Sequence, residues 1–250
     1  MKTNSNIAEL TLDLDEVVST LVKVKLYVGG GARDARADTL SQELATAHGA
    51  NVKKIKTSVR WLGEEHKKKI DAAYSALRGA FNTSTLPWED GGYRIVPADR
   101  YQLLCDKVAE LGEAYRDAGD DIVSHWDDIM AEAHRELNGA MASLDIPTAE
   151  EFRRNIVFGL TADVVVAPKD IRIAGLGEAT VERIRNQAER NIADRITTAI
   201  DSMLANLTNL LTELVRRTDK EKQKGTRYNG WANWAKNEVA AMRPLNFTND

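Results

Sequence analysis

Two long stripes of apolar residues constrain the fold of this chain more than any other feature of its sequence. The first runs from Ala98 to about Ala142 and the second from Val181 to Leu214, and both repeat in steps of three and four residues. Such steps place side chains on one face of an α-helix. At about 1.5 Å per residue, each helix is expected to be roughly 55–65 Å long. Because an isolated helix would leave its stripe in water, we expect the two to pair as an antiparallel, coiled-coil-like hairpin.

Shorter segments predict a small sheet at one end of this hairpin. Leu21–Val28 alternates apolar residues with Lys23 and Lys25, a pattern typical of a strand with one wet face. Asn82–Pro97 contains several Pro and Gly residues and is expected to be a loop with one short extended piece. Ala162–Ala167 also has an extended pattern. We therefore expect a sheet built from 21–28, 93–96 and 164–167.

Additional helices are expected around this framework. Two follow the first strand, at about 33–47 and 51–80. A short one is predicted over Thr148–Leu160, because Thr148 and Glu151 have the spacing of a capping box. The last is expected at about Asn229–Met242.

The predicted fold class is therefore mainly α, with a long antiparallel coiled-coil-like hairpin, additional helices and a small β-sheet at one end. Along the chain this gives an N-terminal strand and helices at 1–97, the hairpin with its β-containing connection at 98–218, and a basic C-terminal helix and tail at 219–250. We expect these segments to form one elongated unit.

Composition excludes several classes of protein. One cysteine in 250 residues rules out a disulfide scaffold and a cysteine-rich zinc module, and it suits a reducing compartment. Apolar runs such as Leu21–Val28 are far shorter than the roughly 20 residues of a membrane-spanning helix. The N-terminus has no apolar segment of the kind found in signal peptides. We therefore expect a cytoplasmic protein without a membrane partner.

The formal net charge of −4 hides a strong segregation of charge. Between Asp106 and Glu151 there are 13 acidic and three basic residues. Lys53–Lys69 carries seven basic and two acidic residues, and Arg216–Arg243 carries eight and three. Cations interleaved with aromatic rings are typical of single-stranded nucleic-acid binding. The candidate residues are Lys53, Lys54, Lys56, Arg60, Lys67, Lys68, Lys69, Lys222, Lys224, Arg227, Trp231 and Trp234. The alternative is that the two tryptophans form the buried face of the last helix and the charges its wet face.

Two weaker motifs can be interpreted either as functional sites or as ordinary structural elements. Gly175-Leu176-Gly177 resembles the turn of a helix-hairpin-helix, but it can equally be a glycine turn before a helix. Asp121, His125, Asp128 and Glu132 are spaced so that one helix face could gather them around a metal, but they also fit the solvated flank of the apolar stripe. We favour the plain interpretation in both cases.

Motifs for covalent or nucleotide chemistry are missing from the sequence. There is no G-x-S-x-G element, no P-loop after Gly29–Gly31, and no complete G-x-G-x-x-G fingerprint. Cys105 lies near the apolar stripe, where a structural thiol is expected. The sequence therefore favours a protein that is not an enzyme and needs no cofactor.

The order of several segments carries a family resemblance. LVKVKLYVGG near the start is followed by GGYRIVPADR, a long helix, PTAEEFRRNIVFGLTADVVVAP, a second long helix, a basic element with GTRY, and a terminal Leu245-Asn246. Over about residues 15–246 this resembles an uncharacterised, mostly helical domain-of-unknown-function family of phage and bacterial proteins. Members are often encoded near MoxR-type AAA+ ATPases. The resemblance implies a chaperone-like or adaptor role and assigns no catalytic residues.

The functional prediction is a non-enzymatic phage or bacterial interaction protein that acts through helical surfaces, with an AAA+ or other protein partner or with itself as a homo-oligomer. The expected interface is the second stripe, at Ile192, Ile196, Ile200, Met203, Leu207, Leu210 and Leu214. The alternative function is a nucleic-acid-binding accessory protein that uses the basic segments 53–69 and 216–243.

Overall fold

The computed structural model describes residues 14–30 and 34–224. Within these ranges the protein is mostly helical with a small antiparallel sheet, as predicted. The helices are α1 (Leu14–Ser19), α2 (Asp38–Ala47), α3 (Glu64–Thr83), α4 (Ala98–Ser124), α5 (Trp126–Leu137), α6 (Ala149–Asn155) and α7 (Glu178–Lys224). The strands are β1 (Leu21–Val28), β2 (Asp34–Arg36), β3 (Ser58–Arg60), β4 (Leu86–Glu89), β5 (Tyr93–Pro97) and β6 (Phe158–Val164). No helix of the described segments has the length and apolar character needed to cross a membrane.

The described chain divides into two compact units. Unit 1 contains residues 14–25, 81–105 and 161–224, and unit 2 contains 26–30, 34–80 and 106–160. The core of unit 1 is formed by Val17, Val18, Leu21, Leu86, Trp88, Ile95, Ala167, Ile192, Ile196 and Ala199. The core of unit 2 is formed by Ala35, Trp61, Leu62, Ile70, Tyr115, Ile122, Ile129, Phe152 and Ile156. The predicted division at 97 and 218 stays a prediction, since most of its last segment lies outside the described residues.

The larger sheet has the order β4-β5-β1-β6. β1 and β5 are antiparallel, with Leu21 opposite Pro97 and Val24 opposite Arg94. The predicted strands at 21–28 and 93–96 are confirmed. The third predicted strand was placed too late, because β6 begins at Phe158 rather than near 164. β4 was missed because Pro87 interrupts its pattern, and a proline is tolerated in a strand only at positions such as a sheet edge.

The first apolar stripe forms two helices instead of the one predicted. α4 ends at Ser124 and α5 begins at Trp126, because His125 has non-helical dihedral angles of −106° and 18°. The Ser124 hydroxyl donates to the carbonyl of Asp121 at 2.8 Å, and His125 Nδ1 lies 2.8 Å from the same oxygen. Side chains that bond to nearby backbone carbonyls compete with the regular helix ladder. The stripe continues in α5 and gives way to a 3-10 turn at Asn138–Ser143.

Helices over 33–47 and 51–80 were both predicted too long at their N-terminal ends. Residues 34–36 and 58–60 instead pair as the short antiparallel strands β2 and β3. The Thr57 hydroxyl donates to the carbonyl of Ala37 at 3.0 Å, and the Thr57 N–H donates to Ser41 Oγ at 3.0 Å. These contacts fix the start of α2 against the loop that precedes β3.

The predicted capping box is confirmed at the start of α6. The N–H of Glu151 donates to Thr148 Oγ1 at 3.2 Å, and the N–H of Thr148 donates to the Glu151 carboxylate at 2.8 Å. The helix ends at Asn155 and not at Leu160, and the β-branched Ile156 and Val157 lead into β6.

The second stripe forms the continuous helix α7, which is 47 residues and roughly 70 Å long. The antiparallel coiled-coil-like pairing of the two stripes stays a prediction. α7 begins just after the Gly175-Leu176-Gly177 turn, where Gly175 has a φ of +83°. Because a 3-10 turn and irregular backbone precede that turn, the helix-hairpin-helix hypothesis is wrong.

Candidate interaction surfaces

The first half of the α7 stripe is covered by unit 1 itself. Ile192 and Ile196 are buried in the core of unit 1, and Ile200 and Met203 pack against it. A polar clamp fixes the same stretch of helix, since Arg195 Nη1 lies 2.8 Å from the Glu89 carboxylate. The Arg195 guanidinium also lies 5.7 Å from the centre of the Trp88 ring, a cation–π distance. These four predicted interface residues therefore have an internal packing role.

The second half of α7 presents apolar side chains to solvent beside the predicted stripe. Leu204, Leu211 and Val215 are 48%, 60% and 62% exposed. Leu210 is buried and Leu207 is half-buried, while the side chain of Leu214 lies outside the described residues. The sequence analysis missed the three exposed residues, although their spacing of seven and four is helical. We call Leu204, Leu211 and Val215 the exposed stripe.

Polar groups beside the exposed stripe are satisfied within α7. The hydroxyls of Thr208 and Thr212 donate to the carbonyls four residues earlier, at 2.9 and 2.8 Å. Arg216 forms a two-point ion pair with Glu213, at 2.6 Å from Nε and 2.5 Å from Nη2. The hydrogen bond and charge of Glu213 raise the pKa of Arg216 further above its ordinary value. A partner that binds this surface would therefore contact mainly apolar side chains.

Some cations of the first basic segment have acidic partners and others do not. Arg60 pairs with Glu64 and lies 3.6 Å from Asp34, Lys67 lies 2.5 Å from Asp71, and Lys69 lies 3.4 Å from Glu65 and 3.6 Å from Asp121. Within the described part of the chain, four exposed lysines have no acidic partner: Lys53, Lys54, Lys56 and Lys68.

Most of the second basic segment, and with it the predicted last helix at about Asn229–Met242, lies outside the described residues. Arg227, Trp231 and Trp234 lie beyond residue 224, and the side chains of Lys222 and Lys224 are likewise outside the described part. Their predicted role in nucleic-acid binding stays a prediction.

The carboxylate of Asp121 is the meeting point of two histidines in unit 2. His125 Nδ1 lies 3.5 Å from one oxygen of Asp121, and His66 Nδ1 lies 3.8 Å from the other. His66 comes from α3 and was not part of the predicted constellation. Among the described residues, however, no three His, Cys, Asp or Glu side chains gather as a metal site requires. The structure therefore does not assemble Asp121, His125, Asp128 and Glu132 into a metal centre.

A polar cleft of about 470 Å³ lies in unit 1, lined in part by Asp15, Lys169, Glu182 and Arg185. Several of its charges already have partners within unit 1, since Lys169 Nζ lies 3.3 Å from Asp15 and Arg185 donates two hydrogen bonds to the carbonyl of Ile171. Cys105 lies elsewhere in this unit and is half-buried, and its hydrogen bond with Tyr101 raises the pKa of that phenol.

Comparison of this chain with protein-family models, with curated proteins and with solved structures finds no match.

Proposed function

We propose that this protein is a non-enzymatic interaction protein whose exposed stripe on α7 receives an apolar helix of a partner protein. The observation that carries the proposal is a row of exposed apolar side chains along α7. The side of the helix that carries Ile196 and Leu210 is buried, whereas Leu204, Leu211 and Val215 on the adjoining side are exposed. Exposed apolar residues aligned on one helix face are typical of protein–protein contacts.

In this proposal, the exposed stripe forms a coiled-coil pairing with a helix of another protein. Leu204 and Leu211 are one heptad apart and Val215 follows four residues later, so their side chains can fit between those of a facing helix. The family resemblance favours an AAA+ ATPase system in a phage-infected or bacterial cytoplasm as the source of the partner.

The test is affinity purification from the native host with three forms of the chain. Leu204→Glu/Leu211→Glu places charge on the exposed stripe. Asn206→Glu/Asn209→Glu is the matched control, because these exposed residues lie on the same stretch of helix and add the same charge. We expect a protein that the wild type and the control retain and that the leucine variant loses.

A direct measurement then completes the test. The retained protein, once purified, is expected to bind the leucine variant at least about tenfold more weakly than the control, a difference of about 1.4 kcal/mol. Identical capture by all three forms, with unchanged helical circular dichroism, would contradict the proposal.

A second candidate function is single-stranded nucleic-acid binding through the free lysines of the first basic segment. The observation in its favour is that Lys53, Lys54, Lys56 and Lys68 are exposed without an acidic partner among the described residues. Lysines without an acidic partner are available to bind phosphates. Binding then releases counterions from the nucleic acid, which makes the affinity salt-dependent.

The test of this second function is fluorescence anisotropy with short single-stranded oligonucleotides between roughly 50 and 200 mM salt. Lys53→Glu/Lys54→Glu should weaken binding and flatten its salt dependence. Lys107→Glu/Arg116→Glu is the control, because it makes the same change in net charge at cations that already pair with Glu110 and Glu113. Equal weakening by both variants would point to net charge alone and reject a defined site.

A further inference from the structure

The two edges of the larger sheet differ in how they are protected. β4 is only four residues long, contains Pro87, and has a register shift between Pro87 and Glu89. Its Leu86 and Trp88 are buried in the core of unit 1. A short strand, a proline and an irregular register are devices that prevent a sheet edge from pairing with another chain.

β6, at the opposite edge, is longer than β4 and contains no proline. Its seven residues, Phe158–Val164, include no proline, lysine or arginine. The last four, Thr161–Val164, are all exposed, and Val164 is 72% exposed. Val166 follows at 52%. A strand of this length with exposed apolar residues leaves a row of backbone donors and acceptors beside an apolar surface.

The polar side chains of β6 have partners in β1 and within β6 itself. The carboxylate of Asp163 lies 3.1 Å from Lys23 Nζ and accepts the Val164 N–H at 2.9 Å. These contacts hold the pKa of Asp163 below its usual range, so the group is ionised and paired at neutral pH. The Thr161 hydroxyl lies 3.3 Å from the carbonyl of Lys25. The free edge therefore carries no unpaired charge that would repel another strand.

We propose that β6 is a self-association seam, where it pairs antiparallel with β6 of a second copy of this chain about a two-fold axis at Ala162. This register places Thr161 opposite Asp163 and Leu160 opposite Val164. Apolar residues then face each other across the seam, and no two like charges are opposed. The two sheets become one continuous eight-stranded sheet.

Neighbouring symmetric registers are less favourable. An axis at Asp163 would oppose two carboxylates, which destabilises an antiparallel pair. An axis at Thr161 would place Asp163 opposite Gly159, without the Thr161 hydroxyl as its neighbour, and Val164 opposite Phe158, whose ring already packs against Arg116 in α4. The self-complementary register, rather than exposure alone, is what identifies the occupant as a second copy. The seam uses different residues from the exposed stripe of α7 and does not depend on the function proposed above.

The test is sedimentation equilibrium of the full chain over a concentration series. The wild type should form a dimer that dissociates on dilution. Val164→Lys should raise the dimer dissociation constant at least about tenfold, because lysine on an edge strand opposes pairing. Val52→Lys is the matched control, since it adds the same charge at an exposed valine that lies outside β6. Leu204→Glu/Leu211→Glu should leave the dimer unchanged.

Hydrogen exchange locates the contact. Peptides that cover Thr161–Val164 should gain protection as the wild-type concentration rises, and Val164→Lys should abolish that gain. A wild type that stays monomeric at its highest soluble concentration would overturn the proposal. So would a dimer whose strand β6 gains no protection, or one that Leu204→Glu/Leu211→Glu dissociates.

Discussion

Gly112 in α4 is the position where one added methyl group gives the sharpest test of the packing in unit 2. Gly112 is buried, and a Cβ there would overlap the ring of Phe158. The Arg116 guanidinium, one turn further along α4, lies 5.0 Å from the centre of the same ring. Gly79 in α3 is the matched control, because a Cβ at that position would have nothing within 4 Å.

Both substitutions gain helix propensity, but only Gly112→Ala adds a steric overlap. In both helices, Gly→Ala gains about 1 kcal/mol of helix propensity. Gly79→Ala should therefore stabilise the protein by about that amount. Gly112→Ala should also incur an overpacking cost of about 1–3 kcal/mol, because the Phe158 ring must move away from α4 to make room for the methyl group. The difference in unfolding free energy between the two variants isolates the overlap.

The assay is urea unfolding followed by far-UV circular dichroism and by tryptophan fluorescence, to which Trp61 and Trp126 in the core region of unit 2 contribute. A double variant, Gly112→Ala/Phe158→Leu, should recover part of the loss, since the smaller side chain leaves room for the methyl group. If Gly112→Ala and Gly79→Ala stabilise the protein equally, Phe158 does not pack on α4 as described and the reasoning is refuted.

Three further predictions concern single side chains with defined partners. Thr148→Ala should cost about 1 kcal/mol, measured by urea unfolding, because it removes the N-cap of α6. Hydrogen bonds from the backbone and hydroxyl of Thr148 lower the pKa of Glu151, so its contribution to stability is present above its unfolded pKa and is lost as pH falls through its folded pKa. Unfolding of Glu151→Gln across acidic pH should lack this component, and an unchanged pH profile would contradict it. Arg94→Met should cost about 2 kcal/mol in the same assay, because the half-buried guanidinium, whose pKa is lowered by desolvation, donates to Thr85 Oγ1, the Thr85 carbonyl and the Asn82 carbonyl at 2.6–3.1 Å. A loss no larger than that of an exposed arginine such as Arg100 would show that these bonds contribute little.

Local patterns in the sequence predicted the local structure well. The alternation of Leu21–Val28, the capping box at Thr148 and the steps of the second stripe each concern residues within one or two turns or one strand. Such patterns depend on residues that are close in the sequence and not on tertiary contacts, so they can be recognised in a single sequence. The break at His125 is local too, but a side chain that bonds to a backbone carbonyl does not disturb the apolar spacing by which the helix was recognised.

Pairings between distant segments could not be predicted in the same way. β2 and β3 are short and lie more than 20 residues apart, and neither has a strand pattern of its own. The same limit applies to the candidate interface. Ile196 and Leu204 are both apolar residues of α7, yet the first is buried in the core and the second is exposed. Which side of a helix the chain covers depends on what packs there, here β4 and its neighbours, and apolar spacing alone does not reveal that.

The three candidate surfaces differ in physical character, so a salt titration of binding or assembly can show which of them makes the contact. Contact through the free lysines must weaken steeply with salt, because phosphates release counterions when cations bind them. Contact through the exposed stripe buries apolar carbon and should strengthen slightly with sulfate, which favours apolar burial. Pairing through β6 depends on backbone hydrogen bonds between strands, and Asp163 is already neutralised by Lys23, so moderate salt should change it little. An assembly that resists salt and is dissociated by Val164→Lys therefore uses the strand, whereas one that Leu204→Glu/Leu211→Glu dissociates uses the helix.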